Sequence, residues 1–271
     1  MAYRIAYAYT SHVGKIRENN EDNFWCCGDY LNVDNQGMTE VRFGSADQEE
    51  FPLLAVFDGM GGESCGEVAA YLAADACQRS HREKGTCAPG EVESFLVESL
   101  KNMNRSVCEY ARTNRVRSMG TTAAMLGFDQ DEIIACNLGD SRIYQSYSQS
   151  LIQISTDHIL KTATFGKAPL TQYVGIPEES MALAPALVRM EAVPGIRYLL
   201  CSDGLTDMLS DQELKEILGK ETTVKKTVEA LLKRTLEKGG KDNATIIFCE
   251  IQEPSIKSRV KHWLERQKKK K

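Results

Sequence analysis

Five short acidic motifs sit beside apolar runs in this 271-residue chain. They are Arg17-Glu18-Asn19-Asn20-Glu21-Asp22, Phe57-Asp58-Gly59-Met60-Gly61-Gly62, Asn137-Leu138-Gly139-Asp140-Ser141-Arg142, Ser202-Asp203-Gly204 and Lys241-Asp242-Asn243. Asp58, Asp140 and Asp203 end or closely follow an apolar segment, and Asp22 and Asp242 each open one. A carboxylate at a strand end is held by its sheet yet projects from the rim. Several brought together would repel, each like-charge pair at ~4 Å costing on the order of 4 kcal/mol at an effective dielectric of 20. Divalent cations remove that cost, and all-oxygen ligation selects hard ions, Mg2+ or Mn2+, over zinc. Glycine after aspartate, in Asp58-Gly59 and Asp203-Gly204, allows close backbone approach and can offer a carbonyl as ligand. One Asp-Gly pair alone is more often a turn. The ordered set carries the signal.

The elements that must position these residues follow from periodicity. Alternation at Ile5, Tyr7 and Tyr9 predicts a strand over 3–10, and another follows over 22–30. Leu53-Leu54-Ala55-Val56-Phe57 reads as a buried strand halted by Asp58-Gly59. Helical spacing follows over 64–80 (Val68, Leu72, Ala76) and over 91–115 (Phe95, Leu96, Leu100, Met103, Val107). Strands are predicted at about 121–128, 131–138, 142–147, 151–155, 186–192 and 197–202. Helices over 211–219 and 222–238 precede a last strand, Ala244 to Ile251. Strands and helices do not alternate, so a doubly wound parallel sheet fits badly. Stacked, mainly antiparallel sheets with helices on the outer faces fit better.

Composition narrows the class. With 42% apolar and 26% charged residues the chain is an ordinary globular one, long enough to bury a core without disulfide staples. Nine scattered cysteines without CxxC spacing argue against a disulfide framework and a zinc ribbon. The start, Met1-Ala2-Tyr3-Arg4-Ile5, does not read as an apolar leader, and the expected compartment is the cytoplasm. Residues 255–271 carry eight Lys/Arg against one Glu, a net of +7, so the total of −5 leaves −12 on residues 1–254. An acidic body is a poor polyanion binder, which counts against a nucleic-acid protein.

The motifs Arg17-x-x-Asn20-Glu21-Asp22, Val56-Phe57-Asp58-Gly59-Met60-Gly61-Gly62, Ser118-Met119-Gly120-Thr121-Thr122, Gly139-Asp140-Ser141-Arg142, Thr156-Asp157-His158, Ser202-Asp203-Gly204-Leu205 and Asp242-Asn243 form one ordered series. From Tyr3 to Ile251 the chain thereby resembles the type 2C metal-dependent protein phosphatases. The resemblance implies an α+β fold, a four-layer αββα sandwich of two mainly antiparallel sheets flanked by helices, with residues 1–254 as the catalytic domain. It implies two Mn2+ or Mg2+ ions, with Asp58 bridging both, Asp203 and Asp242 completing one, and the Gly59 carbonyl on the other. Glu21 and Asp22 would hold metal-bound waters, and Asp140 with Asp203 a weaker third ion. Arg17 would grip the phosphate, so Arg17, Asp58 and Asp203 are the expected catalytic residues. Paired ions supply hydroxide at neutral pH, and a guanidinium fork suits phosphoryl oxygens better than Lys. The implied substrates are phosphoserine and phosphothreonine proteins made by an opposing kinase, and the implied state is a monomer.

Two departures from the family pattern stand out. Met60 occupies a position where some relatives carry a His proposed to protonate the leaving alkoxide, which leaves metal-bound water as the acid. Only Ile159 to Pro169 separates His158 from Leu170-Thr171-Gln172-Tyr173-Val174-Gly175, so the usual flap is mostly missing and a more open cleft is expected. Three other readings fit the sequence less well. Gly62-Glu63-Ser64-Cys65-Gly66 matches a GxSxG esterase elbow, but Ser64 stands too far past the strand, and His158 would have to serve as base. Gly59, Gly61 and Gly62 lack the remaining glycine of a nucleotide loop. A pseudophosphatase would need a lost ligand, and none is lost. In the tail, Ile256, Val260, Trp263 and Leu264 at helical spacing, with Lys257, Arg259 and Lys261 between, read as a terminal helix packed on its own domain, with docking on an anionic membrane or acidic partner as the alternative.

Overall fold

The structure, a computed structural model, describes residues 2–61, 65–160, 168–220 and 222–254. The chain begins with β1 (Arg4–His12), β2 (Asp22–Cys26), β3 (Arg42–Asp47) and β4 (Leu53–Gly61), followed by helices α1 (Gly66–Lys84) and α2 (Val92–Asn114). A run of strands comes next: β5 (Met119–Thr121), β6 (Ala123–Phe128), β7 (Glu132–Leu138), β8 (Arg142–Tyr147), β9 (Ser150–Gln153), β10 (Ala186–Glu191) and β11 (Arg197–Cys201). The one-turn α3 (Asp203–Thr206), then α4 (Asp211–Lys220) and α5 (Val224–Glu237), lead into β12 (Ala244–Gln252). One sheet has the order β3-β1-β12-β11-β8-β9; the other has β10-β7-β6-β4-β2, with β5 paired to the end of β4. Each strand pairing is antiparallel.

The strands read as unbroken apolar runs because side chains of successive residues enter different cores. Along β4, Leu54 and Val56 face the other sheet, while Leu53, Ala55 and Phe57 face α1 and α2. Along β12, Ile247, Cys249 and Ile251 face between the sheets, while Ile246 and Phe248 meet α4 and α5. Three apolar layers therefore separate four layers of structure, as the αββα expectation requires. All nine cysteines are free, five of them buried in these cores.

Several elements differ from the periodicity reading; β2, expected over 22–30, ends at Cys26. β4 does not stop at Phe57 but continues through Asp58 to Gly61, pairing Gly59 with Thr121 and Met60 with Gly120. The Asp-Gly pair reads as a turn, yet Gly59 is there for closeness: a Cβ on it would lie 2.1 Å from the Gly66 carbonyl oxygen. In α1 the spacing of Val68 and Leu72 marks the helix, but these two are only partly buried. The deep face is Ala69, Ala70, Ala73, Ala74, Ala76 and Cys77, small residues that let the helix lie close to β4 and β2. The edge strand β3 (Arg-Phe-Gly-Ser-Ala-Asp) carries no alternation that would predict it. Gly44 stands opposite Tyr7 in β1, where a Cβ would meet the ring hydroxyl at 2.7 Å.

Candidate metal centre and active site

Register places the first two carboxylates. In the β2–β4 ladder Asp22 is directly opposite Asp58, so both side chains leave the same face at one rim. Asp58 is gripped through its backbone. Its N–H donates to Thr122 Oγ1 at 3.0 Å, and its carbonyl accepts from Thr122 N at 2.9 Å and Thr121 Oγ1 at 2.9 Å. The Gly120-Thr121-Thr122 motif thus acts as a clamp on Asp58.

Ser202 ties the two sheets together at this rim. Its hydroxyl donates to Asp22 Oδ2 at 2.7 Å and accepts from Thr245 N at 2.9 Å. Asp203, the next residue, opens α3 and is only 6% exposed. Gly204 then presses on the last acidic motif: a Cβ there would sit 1.8 Å from the Asn243 carbonyl oxygen. No other residue fits, and the result is that Asp203 and Asp242 are carried by touching segments.

Asn243 staples the loop that precedes β2. Its Oδ1 accepts from Glu21 N at 2.8 Å, and its Nδ2 donates to the carbonyls of Val13 and Asn19, both at 2.9 Å. Arg17, on that loop, donates from Nη2 to Asp242 Oδ2 at 2.8 Å and is half exposed. Its pKa is raised by that hydrogen bond and, beyond it, by the fields of Asp242, Glu21 and Asp58. One guanidinium therefore lies within the field of three of the predicted acidic residues. Glu21 is pushed up by burial and then by Glu67 beside it, against the pull of Arg17.

The Glu21 carboxylate and the Gly59 carbonyl share one hollow at the start of α1. A Cβ on Gly66 would lie 3.0 Å from Glu21 Oε2 and 3.0 Å from Gly59 O. Gly59 N donates to the Glu21 carbonyl at 3.1 Å, which fixes the two segments together. Close by, Glu67 Oε2 is a buried acceptor with no donor. The Glu21 carboxylate and the Gly59 carbonyl are hard oxygen donors, the kind that suit divalent cations. Among the described residues no three His, Cys, Asp or Glu side chains close into a ready cage. Two of the rim carboxylates are each held by a hydrogen bond, Asp22 by Ser202 and Asp242 by Arg17.

Asp140 stands in the β7–β8 turn, one residue from the Asp58 clamp, since Ser141 Oγ is 2.6 Å from Thr122 Oγ1. Gly139 makes that turn at φ +104°, where a Cβ would strike Thr122. Arg142 forks onto Asp157 at 2.7 to 3.2 Å. Burial opposes the Arg142 charge, but hydrogen bonds to Asp157 and Tyr144 outweigh it and its pKa goes up. His158 donates its backbone N–H to the Gly139 carbonyl at 3.0 Å and its Nδ1 lies 3.2 Å from Gly139 N. It braces the turn, and nothing supports it as the base of an esterase; Ser64 lies outside the described residues. Across the segment where a shortened flap is expected, Leu160 N donates to Pro169 O at 2.9 Å and Thr171 N to His158 O at 2.8 Å, while residues 161–167 lie outside the described residues. So do residues 255–271, the basic tail.

The sequence assigns no role to Thr122, Ser202 and Asn243, which position this rim, or to Glu67, which stands beside Glu21. Thr122, Ser202 and Asn243 stand inside the quoted motifs, so adjacency to an acidic residue was the available signal. Glu67 gave none beyond its place at a helix start.

A folded αββα sandwich with carboxylates and an arginine at one rim defines a class of metal-dependent phosphoester hydrolases. The sequence profile of the Protein phosphatase 2C family matches residues 40–244, and the chain belongs to that family. Among its relatives is the serine/threonine phosphatase stp of Listeria monocytogenes, 29% identical over 253 residues, covering 88% of this chain and 92% of that protein. Protein phosphatase PhpP of Streptococcus pneumoniae is 26% identical over 257 residues, covering 89% and 95%. The solved catalytic domain of the serine/threonine protein phosphatase PstP, in complex with two manganese ions, is similar with a TM-score of 0.73 and 27% identity, over 93% of this chain and all of that one. No helix among the described residues is long and apolar enough to cross a membrane.

Proposed function

We propose that the protein hydrolyses phosphoserine and phosphothreonine on proteins with the help of two divalent cations, Mn2+ or Mg2+. The observation that carries this reading is the meeting, at one rim, of Asp22 and Asp58 across a ladder, Asp203 against the Asp242-Asn243 segment, and Arg17 on Asp242. Asp58, Asp203, Asp242 and the Gly59 carbonyl are the residues that would hold the ions, with Glu21 and Asp22 accepting hydrogen bonds from water around them. Asp140 is the candidate for a weaker third ion. The ions, when bound, supply a hydroxide nucleophile at neutral pH and offset charge on the phosphoryl group. Arg17 keeps further N–H donors beyond the one on Asp242, and these orient the phosphoryl oxygens for in-line attack. Asp242 in turn fixes the guanidinium before substrate arrives, which lowers the ordering cost of binding. No side-chain nucleophile is required.

Residues 1–254 are assigned the activity, with 255–271 as a basic tail. A serine/threonine kinase must supply the substrate, and a monomer suffices for the site. The test is phosphate release from a phosphothreonine peptide with and without Mn2+, comparing the wild type with Asp203→Asn. The expected result is metal-dependent release that falls more than about 100-fold in the variant, since ligand loss exceeds the 10–100-fold typical of residues behind the ligands. Release unaffected by EDTA, or by the substitution, sinks the reading.

A further inference from the structure

Beside the metal-binding rim lies a cavity of about 290 Å3 lined by Asn19, Asn20, Val33, Asp34, Asn35, Gln36 and Glu67. Its wall contains two carboxylates, four amide side chains and no basic residue. Two of its residues carry buried acceptors without a donor: Asn20 Oδ1 and Glu67 Oε2. Asn20 is only 1% exposed. The amide orientations are forced by a chain of partners. Asn35 Nδ2 donates to the Asn32 carbonyl at 2.8 Å and Asn35 Oδ1 accepts from Gly37 N at 2.9 Å, so that amide cannot be reversed. Asn20 must then turn its Nδ2 toward Asn35 Oδ1 at 2.8 Å and Ser11 Oγ at 3.0 Å, which leaves Oδ1 as the lone acceptor. A buried carbonyl oxygen and a buried carboxylate oxygen without donors are each costly. A cationic donor entering the cavity supplies the hydrogen that such acceptors lack.

We propose that this cavity is a subsite for a lysine or arginine side chain of the phosphoprotein substrate, with Glu67 and Asn20 as its hydrogen-bond acceptors and Asp34 at its exposed edge. The space is far larger than a bare ion needs, and of its carboxylates one is half-buried and the other exposed, where a divalent cation wants several converging oxygens. An ammonium or guanidinium head on an aliphatic stem matches both the room and the acceptors. Its place fits a substrate. Asn19 and Asn20 are on the loop that carries Arg17 and Glu21, so a basic residue within two or three positions of the phosphorylated one reaches it at about 3.3 Å per extended residue. The inference rests on the phosphatase reading and adds a sequence preference to it.

The test uses the full chain with Mn2+ and two phosphothreonine peptides, identical except that one carries Arg, and the other norleucine, at flanking positions. Wild type is expected to favour the arginine peptide in kcat/KM. That preference should fall about tenfold in Glu67→Gln, as for loss of a charge-assisted hydrogen bond, and by a smaller factor in Asp34→Asn, which leaves p-nitrophenyl phosphate turnover unchanged. The ratio of the two peptides normalises any general loss of activity. An arginine preference that is absent from the wild type, or that survives both substitutions, overturns the subsite. Wild type inactive on both peptides and on p-nitrophenyl phosphate counts against the phosphatase reading itself.

Discussion

Asp242 illustrates how single residues share work at this rim. Its Oδ1 accepts from Asn243 N at 2.9 Å and its Oδ2 from Arg17, so one carboxylate is oriented by its own neighbour and orients the guanidinium. Arg17→Lys should therefore fail as a conservative change. A point charge replaces a planar fork, and KM for a phosphopeptide should rise about tenfold, with a smaller change in metal requirement. Asn243 makes three hydrogen bonds that fix the Arg17–Glu21 loop. Asn243→Ala should raise the Mn2+ concentration for half-maximal activity by about 10–100-fold, as for residues that orient ligands, while circular dichroism shows a folded chain. An unchanged metal requirement would leave Asn243 with a purely structural role.

Elements were legible where a pattern reflected burial and obscure where it reflected close approach. The apolar runs of β4, β6, β7, β11 and β12 stand out because each is sandwiched between two cores. β3 was invisible, since an edge strand with Gly44 under Tyr7 needs neither alternation nor β-branched residues. The one-turn α3 was equally hidden, because Asp203-Gly204 looks like a turn until Asn243 is seen against it. α4 shows the opposite case, a boundary written in local chemistry. Ser210 and Glu213 exchange hydrogen bonds as a capping box, Ser210 Oγ with Glu213 N at 3.4 Å and Glu213 Oε2 with Ser210 N at 3.2 Å. Ser210→Ala should lower stability by about 1 kcal/mol in urea titration. Glu213 is lowered to about 2 by Lys238 and by Ser210 from an ordinary value of 4.5. Its contribution is thus fully present above about pH 4.5 and is lost as pH falls toward 2, so the cost of the substitution should shrink over that window.

At the scale of the molecule, the sandwich works as a device for bringing distant parts of the chain to one rim. Residues 17–22 and 58, and residues 203 and 242–243, come from different sheets and are stitched by Ser202 and Asn243. The acidic identities and their order were readable in the sequence, because chemistry constrains residue type. The stitching was not, since hydroxyls and amides that bridge sheets look like any loop residue until the register is known. The most direct measurement is an anomalous difference map, at the manganese edge, from crystals grown with Mn2+. Two adjacent peaks are expected at Asp58, one shared with Asp203 and Asp242 and the other with the Gly59 carbonyl. A map without ions at that rim, in crystals of protein that releases phosphate from a phosphopeptide, would contradict that expectation.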